Sequence, residues 1–160
     1  MSAGGPHILF VCTGNTCRSP MAEGLLRVAS GSRELTVSSA GVAAMPGGRA
    51  SRETREIVES RGGDLSGFRS RMVDEEILAE ADHVFCMTRS HLEALEALYP
   101  DFAERYYLVC DFVEIGGEVG VDIPDPIGGG RQAYEAVATL LDGAIGGILG
   151  FLESEAAGKK

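Results

Sequence analysis

Residues 7 to 26, HILFVCTGNTCRSPMAEGLL, constrain the fold of this chain more than any other stretch. An apolar run ends at Cys12, a short loop containing Gly14 and Asn15 follows, and a helical pattern begins behind Arg18. A strand that turns directly into a helix is the first half of a β-α-β unit, and such units build parallel sheets. The stretch therefore predicts an α/β fold whose first loop lies at the carboxyl end of a strand, where ligands of such sheets bind.

The rest of the chain alternates in the same way. Further apolar and β-branched runs predict strands at residues 35–40, 83–87 and 106–109. Helical patterns lie between and after them, at residues 19–30, 51–62, 73–81, 90–100 and 130–155, with Ser19 placed to cap the first. We expect one domain, residues 1–160: a three-layer sandwich with a four-stranded parallel sheet, helices on both faces, an anion-binding loop after the first strand and a frayed tail at 155–160.

The charge and composition of the chain limit which kinds of partner it can bind. The net charge of −10 and pI near 4.7 argue against a general affinity for nucleic acid or for an anionic membrane surface. The chain start MSAGGPH lacks the basic and apolar regions of a signal peptide, so we expect a cytoplasmic protein with no membrane partner. The oligomeric state is left open.

The four cysteines form no CxxC pair, so we expect neither a metal site nor a cofactor. Cys86 and Cys110 are expected to fill buried strand positions, because a free cysteine behaves as a small hydrophobe. The three histidines are expected to be structural or solvent-facing and away from the loop: His7, His83 and His91.

The loop itself carries the chemistry. Five residues separate Cys12 from Arg18, which gives a ring of backbone wide enough to surround one phosphate-sized anion. Asn15 tolerates the left-handed conformation that such loops require. Arg18 can hold two phosphoryl oxygens with its planar fork. The residues expected to bind the anion are Thr13, Gly14, Asn15, Thr16, Cys17 and Ser19.

Cys12 is the candidate nucleophile, because amide dipoles of the loop and the helix N-terminus favour the thiolate over the thiol. Ser19 can donate a hydrogen bond to that thiolate. Attack on a phosphorylated side chain also needs an acid that protonates the leaving group. Asp125, which lies between two prolines in VDIPDPIGGG, is the preferred candidate, and Asp122 is the competitor.

At these residues the chain resembles the low-molecular-weight protein tyrosine phosphatase family. VCTGNTCRSPMAEG is similar to the signature loop of that family, SSAGV to the segment after its second strand, and DP to its late general acid. The resemblance implies a phosphocysteine on Cys12, a transition-state clamp by Arg18, and Asp125 as acid and then base. It also implies that Ser39 supports Asn15, and that phosphorylated proteins are the substrates.

Two stretches differ from the tyrosine-specific members, which carry aromatic residues after SAG and after DP. Here these stretches read VAAMPGG and DPIGGG, which offer no aromatic wall for a phosphotyrosine ring. CTGNTCRSPMAE is instead similar to the protein arginine phosphatase branch, in which a threonine at the place of Thr16 favours phosphoarginine. That branch also has aromatic residues where this chain has Ala43 and Ile127. On the strength of Thr16, phosphoarginine is the favoured substrate, and phosphotyrosine is the alternative.

Other functions stay open at this point. Cys17 is either loop packing or a redox guard that traps oxidised Cys12 as a disulfide, and the resemblance favours the guard. Arsenate reductases, which share the loop, use a further closely spaced cysteine pair that Cys86 and Cys110 do not form. A cysteine phosphocarrier would have to preserve its phosphocysteine, against which Arg18 and Asp125 argue. An inactive phosphate-binding module is the remaining alternative.

Overall fold

The structure is a computed structural model and describes residues 5–158. Its main sheet has four parallel strands in the order β2-β1-β3-β4. Their bounds are β1 His7–Cys12, β2 Thr36–Gly41, β3 His83–Cys86 and β4 Tyr106–Leu108. Each of the four predicted strands is confirmed with ends that differ by about one residue, as is usual for such boundaries.

Five α-helices accompany the sheet. They are α1 Arg18–Ser30, α2 Arg52–Ser60, α3 Glu75–Glu80, α4 Arg89–Leu98 and α5 Gly130–Gly158. Ile8 and Phe10 of β1 belong to the core that α1, α2 and α5 cover, whereas Leu9 and Val11 belong to the core on the side of α3 and α4. Because neighbouring residues of a strand point to opposite faces, this division confirms the three-layer sandwich.

The position of β1 explains where the site forms. β1 pairs with β2 on one side and with β3 on the other, so its carboxyl end lies in the middle of the sheet edge. Cys12 stands opposite Gly41 of β2, and Val11 stands opposite Cys86 of β3. The loop from β1 to α1 is therefore flanked by the segments that follow both neighbouring strands.

Three helices begin at conventional caps, and α1 does not. Ser51, Asp74 and Thr88 each accept a hydrogen bond from a backbone N–H in the first turn of α2, α3 and α4. Helix α1 begins at Arg18 and has no side-chain cap. The prediction that Ser19 caps it is wrong, because the helix starts one residue earlier and the Ser19 hydroxyl is used by the loop.

The segment between α4 and α5 contains structure that the patterns did not predict. It forms two short 3₁₀ stretches with β4 between them, Pro100–Arg105 and Val109–Phe112, followed by a small antiparallel hairpin of β5 Glu114–Ile115 and β6 Glu118–Val119. Gly116 and Gly117 both have positive φ, which is the requirement of a tight hairpin turn.

Helix α5 spans 29 residues and, by length and composition alone, could cross a membrane. Its buried residues recur at helical spacing and pack into the core on one face of the sheet: Tyr134, Val137, Ala138, Leu141, Ala144, Ile145, Ile148 and Leu152. Burial of this face in the protein core accounts for part of the apolar character of α5. The helix continues through Gly158, so the part of the predicted frayed tail that the structure describes is helical, and residues 159 and 160 lie outside the described range.

Candidate active site

The loop of residues 13–17 is held from outside by its carbonyl groups. Carbonyls of the loop and its leading cysteine accept hydrogen bonds of 2.8 to 3.0 Å from backbone amides of neighbouring segments: Cys12 from Val42, Thr13 from Ala43, and Thr16 from Ser51. Within the described residues 5–158, none of the N–H groups of residues 13–17 donates to another group. Free amides on a curved loop are the donors that an oxyanion needs.

Gly41, at the end of β2, lets this packing occur. A Cβ at that position would lie 2.4 Å from the Thr13 carbonyl oxygen and 3.0 Å from the Asn15 nitrogen. A contact of 2.4 Å does not occur with a real Cβ, so a side chain at position 41 would push the loop away from the sheet. The SAG of the sequence thus supports the loop through its glycine as well as through Ser39.

Asn15 is the only described non-glycine residue with positive φ, at 57°. The predicted left-handed conformation is therefore present. Its side chain is fully buried, and the amide N–H of Arg71 donates to Asn15 Oδ1 at 2.9 Å. Because a backbone N–H can only donate, this contact fixes which end of the Asn15 amide is oxygen.

The side-chain nitrogen of Asn15 belongs to a series of hydrogen bonds that reaches Cys12, the candidate nucleophile. Asn15 Nδ2 donates to Ser19 Oγ at 2.8 Å and to Ser39 Oγ at 2.9 Å, and Ser39 donates to Glu23 Oε1 at 2.7 Å. Ser19 Oγ lies 2.9 Å from Cys12 Sγ. The structure therefore places Ser39 against Asn15, and Ser19 against Cys12, as the sequence analysis expects.

The groups at the two ends of this series of hydrogen bonds determine which atom donates and which accepts at each step. Glu23 is an acceptor when ionised, so Ser39 donates to it and accepts from Asn15. Ser19 likewise accepts from Asn15, which leaves its own proton for Cys12 Sγ. A hydroxyl that donates to sulfur stabilises the thiolate. Glu23, buried and paired with Arg27, was missed by the sequence analysis although it lies within the quoted SPMAEG.

Arg18 closes the loop and connects it to the acid segment. Its side chain is buried, and Nη1 donates to the Ile123 carbonyl oxygen at 2.9 Å. Nη2 lies 3.9 Å from Asp125 Oδ2. The amide of Ile123 also donates to the Met87 carbonyl at 2.9 Å, which anchors the segment to the end of β3. The predicted guanidinium and the preferred carboxyl are thus brought together.

The two candidate acids have different surroundings. Asp122 Oδ1 accepts from the Arg89 amide at 2.9 Å, so its carboxylate is used at the start of α4. The side chain of Asp125 is half exposed, faces Arg18, and accepts only one local hydrogen bond, from the Ile127 amide at 3.1 Å. That bond closes a side-chain turn over residues 125–127. Of the two carboxyls, Asp125 is the one that faces Arg18 and stays half exposed.

Of the four cysteines, two lie in the site and two lie in the core. Cys17 is buried, and its Sγ lies 3.3 Å from the hydroxyl of Tyr134 and 3.8 Å from Thr16 Oγ1. Burial and the contact with Cys17 raise the pKa of Tyr134 to about 12, so the phenol keeps its proton. Among the described residues, all four thiols are free.

The remaining two cysteines are structural. Cys86 lies in β3 as predicted, whereas Cys110 lies in a 3₁₀ stretch after β4 and not in a strand. Both are fully buried, and burial raises the pKa of each thiol, that of Cys110 to about 11. Neither is an accessible thiolate that could resolve an oxidised Cys12, as an arsenate reductase would require.

The expectation that the three histidines lie away from the loop is wrong for His91. His91 Nε2 lies 2.8 Å from Thr13 Oγ1, and only 5% of the residue is exposed. Helix α4 follows β3, the strand beside β1, so its first turn meets the loop after β1. The sequence around His91, TRSH at residues 88–91, does not predict this contact. The contact depends on which strands are neighbours in the sheet.

No three His, Cys, Asp or Glu side chains of residues 5–158 converge to form a metal-binding group. The groups that do converge are a thiol with a hydroxyl donor, a ring of free amides, a guanidinium and a half-exposed carboxyl. Together they match the active site of a cysteine-dependent phosphatase.

Comparisons with known proteins agree with this geometry. The model of the low molecular weight phosphotyrosine protein phosphatase family matches residues 7–158, and the chain belongs to this family. A protein-arginine-phosphatase of Geobacillus stearothermophilus is 36% identical over 152 residues, covering 93% of this chain and 97% of the relative. The low molecular weight protein-tyrosine-phosphatase Wzb of Salmonella typhi is 34% identical over 135 residues, covering 84% of this chain and 86% of the relative.

A solved structure also resembles the fold. It is a mutant of the YwlE arginine phosphatase with a phosphorylated active site serine, and it is 31% identical to this chain. The TM-score is 0.83, over 92% of this chain and 95% of the solved one. Relatives of both substrate classes are therefore similar to the chain over most of its length.

Proposed function

We propose that this protein hydrolyses phosphoarginine in proteins through a phosphocysteine on Cys12, with protein-tyrosine phosphatase activity as the alternative. The phosphocysteine mechanism is supported by the series of hydrogen bonds that ends on Cys12 Sγ, next to loop amides that have no partner among the described residues. The observation that favours arginine is the composition of the site. Thr16 adds a partly exposed hydroxyl to the loop, and the flanking Ala43 and Ile127 are exposed and not aromatic.

The first step transfers the phosphoryl group to the enzyme. Cys12 thiolate attacks phosphorus, the S–P bond forms and the P–N bond to the guanidino group breaks. Asp125 gives its proton to the departing nitrogen, so the guanidino group leaves as the guanidinium cation. Arg18 and the loop amides hold the equatorial oxygens, where negative charge is concentrated in the transition state.

The second step regenerates the enzyme. Asp125, now ionised, takes a proton from water as the water oxygen attacks phosphorus. The S–P bond breaks, inorganic phosphate leaves, and Cys12 returns as a thiolate that accepts a hydrogen bond from Ser19. The half-exposed position of Asp125 gives water access for this step.

The substrate preference is tested at Thr16. For the natural protein we expect kcat/KM on a phosphoarginine peptide to exceed that on the matched phosphotyrosine peptide. Thr16→Ile is expected to lower this ratio by about 10- to 100-fold, the range that one pocket contact supplies. Thr16→Ser, which keeps the hydroxyl, is the matched control and is expected to retain the preference. A ratio that favours phosphotyrosine in all three proteins would assign the chain to the tyrosine-specific alternative.

We further propose that Cys17 protects Cys12 from oxidation. Peroxide converts the Cys12 thiolate to a sulfenic acid; the Cys17 thiol then attacks that sulfur, an S–S bond forms and water leaves. An added dithiol reduces the bond and restores both thiols. The proposal is supported by the position of Cys17 in the same loop, where its sulfur has only hydroxyl neighbours among its described hydrogen-bond contacts.

Peroxide treatment followed by dithiothreitol tests this role. The natural protein is expected to recover most of its activity, whereas Cys17→Ser is expected to recover little, because its sulfenic acid proceeds to irreversible forms. Cys110→Ala, which removes a buried core thiol, is the control and is expected to recover like the natural protein. Equal recovery by Cys17→Ser, without a Cys12–Cys17 crosslink in the mass spectrum, would contradict the guard role.

A further inference from the structure

His91 is a buried imidazole that touches the catalytic loop, and both of its ring nitrogens have hydroxyl partners. Nδ1 lies 3.0 Å from Thr88 Oγ1, and Nε2 lies 2.8 Å from Thr13 Oγ1. Thr88 is the N-cap of α4, and Thr13 directly follows the nucleophile. The ring therefore bridges the start of a helix and the phosphate-binding loop.

The hydrogen bonds of the ring fit the tautomer that carries its proton on Nε2. Thr88 Oγ1 already accepts the backbone N–H of His91 at 3.2 Å, so its own proton is available for Nδ1. A neutral ring that accepts at Nδ1 carries its proton on Nε2. Nε2 then donates to Thr13 Oγ1, and the proton of Thr13 cannot point back at the ring.

The electrostatic surroundings keep this ring neutral. Burial lowers the pKa of His91 to about 4, and the Arg18 guanidinium acts in the same direction. Asp122 and Asp125 oppose the shift more weakly. An ordinary histidine has a pKa of 6.5, so at neutral pH and somewhat below it His91 remains a donor at one nitrogen and an acceptor at the other.

We propose that His91 is a positioning residue: by donating from Nε2 to Thr13 Oγ1, it directs the Thr13 hydroxyl proton toward the anion held by the loop. Thr13 is exposed, and His91 is its one described side-chain hydrogen-bond partner, so its proton is free for a phosphoryl oxygen. The inference rests on the proposed function, because it assumes that the loop holds a phosphoryl group.

The test is a double-mutant cycle read out by the affinity for inorganic phosphate and by kcat/KM. Thr13→Val and His91→Ala are each expected to weaken both quantities by about 3- to 10-fold, the value of one hydrogen bond. The double variant is expected to be no worse than the poorer single variant, because the two changes remove one interaction. His91→Gln, whose amide can donate to Thr13, is expected to recover part of the loss. His7→Gln, at the far end of β1, is the control and is expected to bind phosphate normally.

A second measurement reads the protonation state of His91 directly. In ¹⁵N-resolved spectra of the natural protein, His91 is expected to be neutral and protonated on Nε2 between about pH 5.5 and 7.5. The pH dependence of unfolding supplies the same information: since the unfolded chain binds the proton at higher pH, stability is expected to fall as pH drops from about 6.5 toward 4. His91→Gln is expected to lack that part of the fall.

Several results would overturn the positioning role. Losses from Thr13→Val and His91→Ala that multiply in the double variant would show that the two residues act independently. A neutral ring with its proton on Nδ1 would have no donor at Nε2 and would contradict the role. Phosphate binding is measured without turnover, so it tests His91 separately from the substrate. If the double-mutant cycle showed coupling but the protein had no phosphoarginine activity, the proposed substrate would be wrong and the role of His91 would be supported.

Discussion

Cys12→Ser is expected to lower kcat by about 10⁴-fold or more, the scale of loss when a catalytic nucleophile is removed. A serine hydroxyl has no thiolate character at neutral pH, and its contact with Ser19 cannot supply any. The loop amides and Arg18 remain in place, so the affinity for inorganic phosphate or vanadate is expected to change by only a few-fold. The measurement pairs steady-state kinetics with calorimetric titration of the same preparation.

The matched control is Cys110→Ala, which removes a buried thiol of the core, far in sequence from the loop. Its kcat is expected to equal that of the natural protein. If Cys12→Ser retained substantial turnover, Cys12 would not be the nucleophile. If it lost turnover and phosphate binding together, its folding would need a separate check, by thermal unfolding in the presence and absence of phosphate.

Asp125→Asn is expected to cost about 10² to 10⁴ in kcat on substrates with a poor leaving group, since general acid catalysis supplies a factor of that size. With a good leaving group such as p-nitrophenolate, formation of the phosphoenzyme needs no proton, and the loss in that step is expected to be much smaller. The measurement is single-turnover kinetics on both kinds of substrate.

Asp122→Asn provides the matched control for this carboxyl. Asp122 uses Oδ1 to accept the Arg89 amide at the start of α4, and an asparagine oxygen can accept the same hydrogen bond. Its loss is therefore expected to be within a few-fold for both leaving groups. A larger loss for Asp122→Asn than for Asp125→Asn, or an equal loss on good and poor leaving groups for the latter, would place the acid elsewhere.

The sequence predicted the sheet well, because each strand is an apolar run bounded by turn residues and flanked by helical patterns. It failed in the segment between α4 and α5, where the elements that it missed are two to six residues long. Strands of two residues have no periodicity to detect. The Gly-Gly of EIGGEV was an available hairpin signal, since two glycines suit the positive φ of both turn residues.

In the site, local contacts were predictable and long-range ones were not. Asn15 in the left-handed region and Ser19 beside Cys12 follow from the loop itself. Glu23 and His91 act through partners that only the folded sheet brings close, at Ser39 and Thr13. The assignment of Ser19 as a helix cap failed for a related reason: its hydroxyl makes hydrogen bonds within the loop network, and α1 begins at Arg18 without a side-chain cap.

The central claim is a covalent phosphoenzyme on Cys12, and trapping that species tests it most directly. Asp125→Asn mixed with p-nitrophenyl phosphate is expected to form the intermediate and to hydrolyse it slowly, since the base for the water step is missing. Quenching in denaturant followed by mass spectrometry of the peptide that contains Cys12 is then expected to find one phosphate on that cysteine. Phosphate on a different residue, or continued turnover with no modified peptide at any time, would contradict the account.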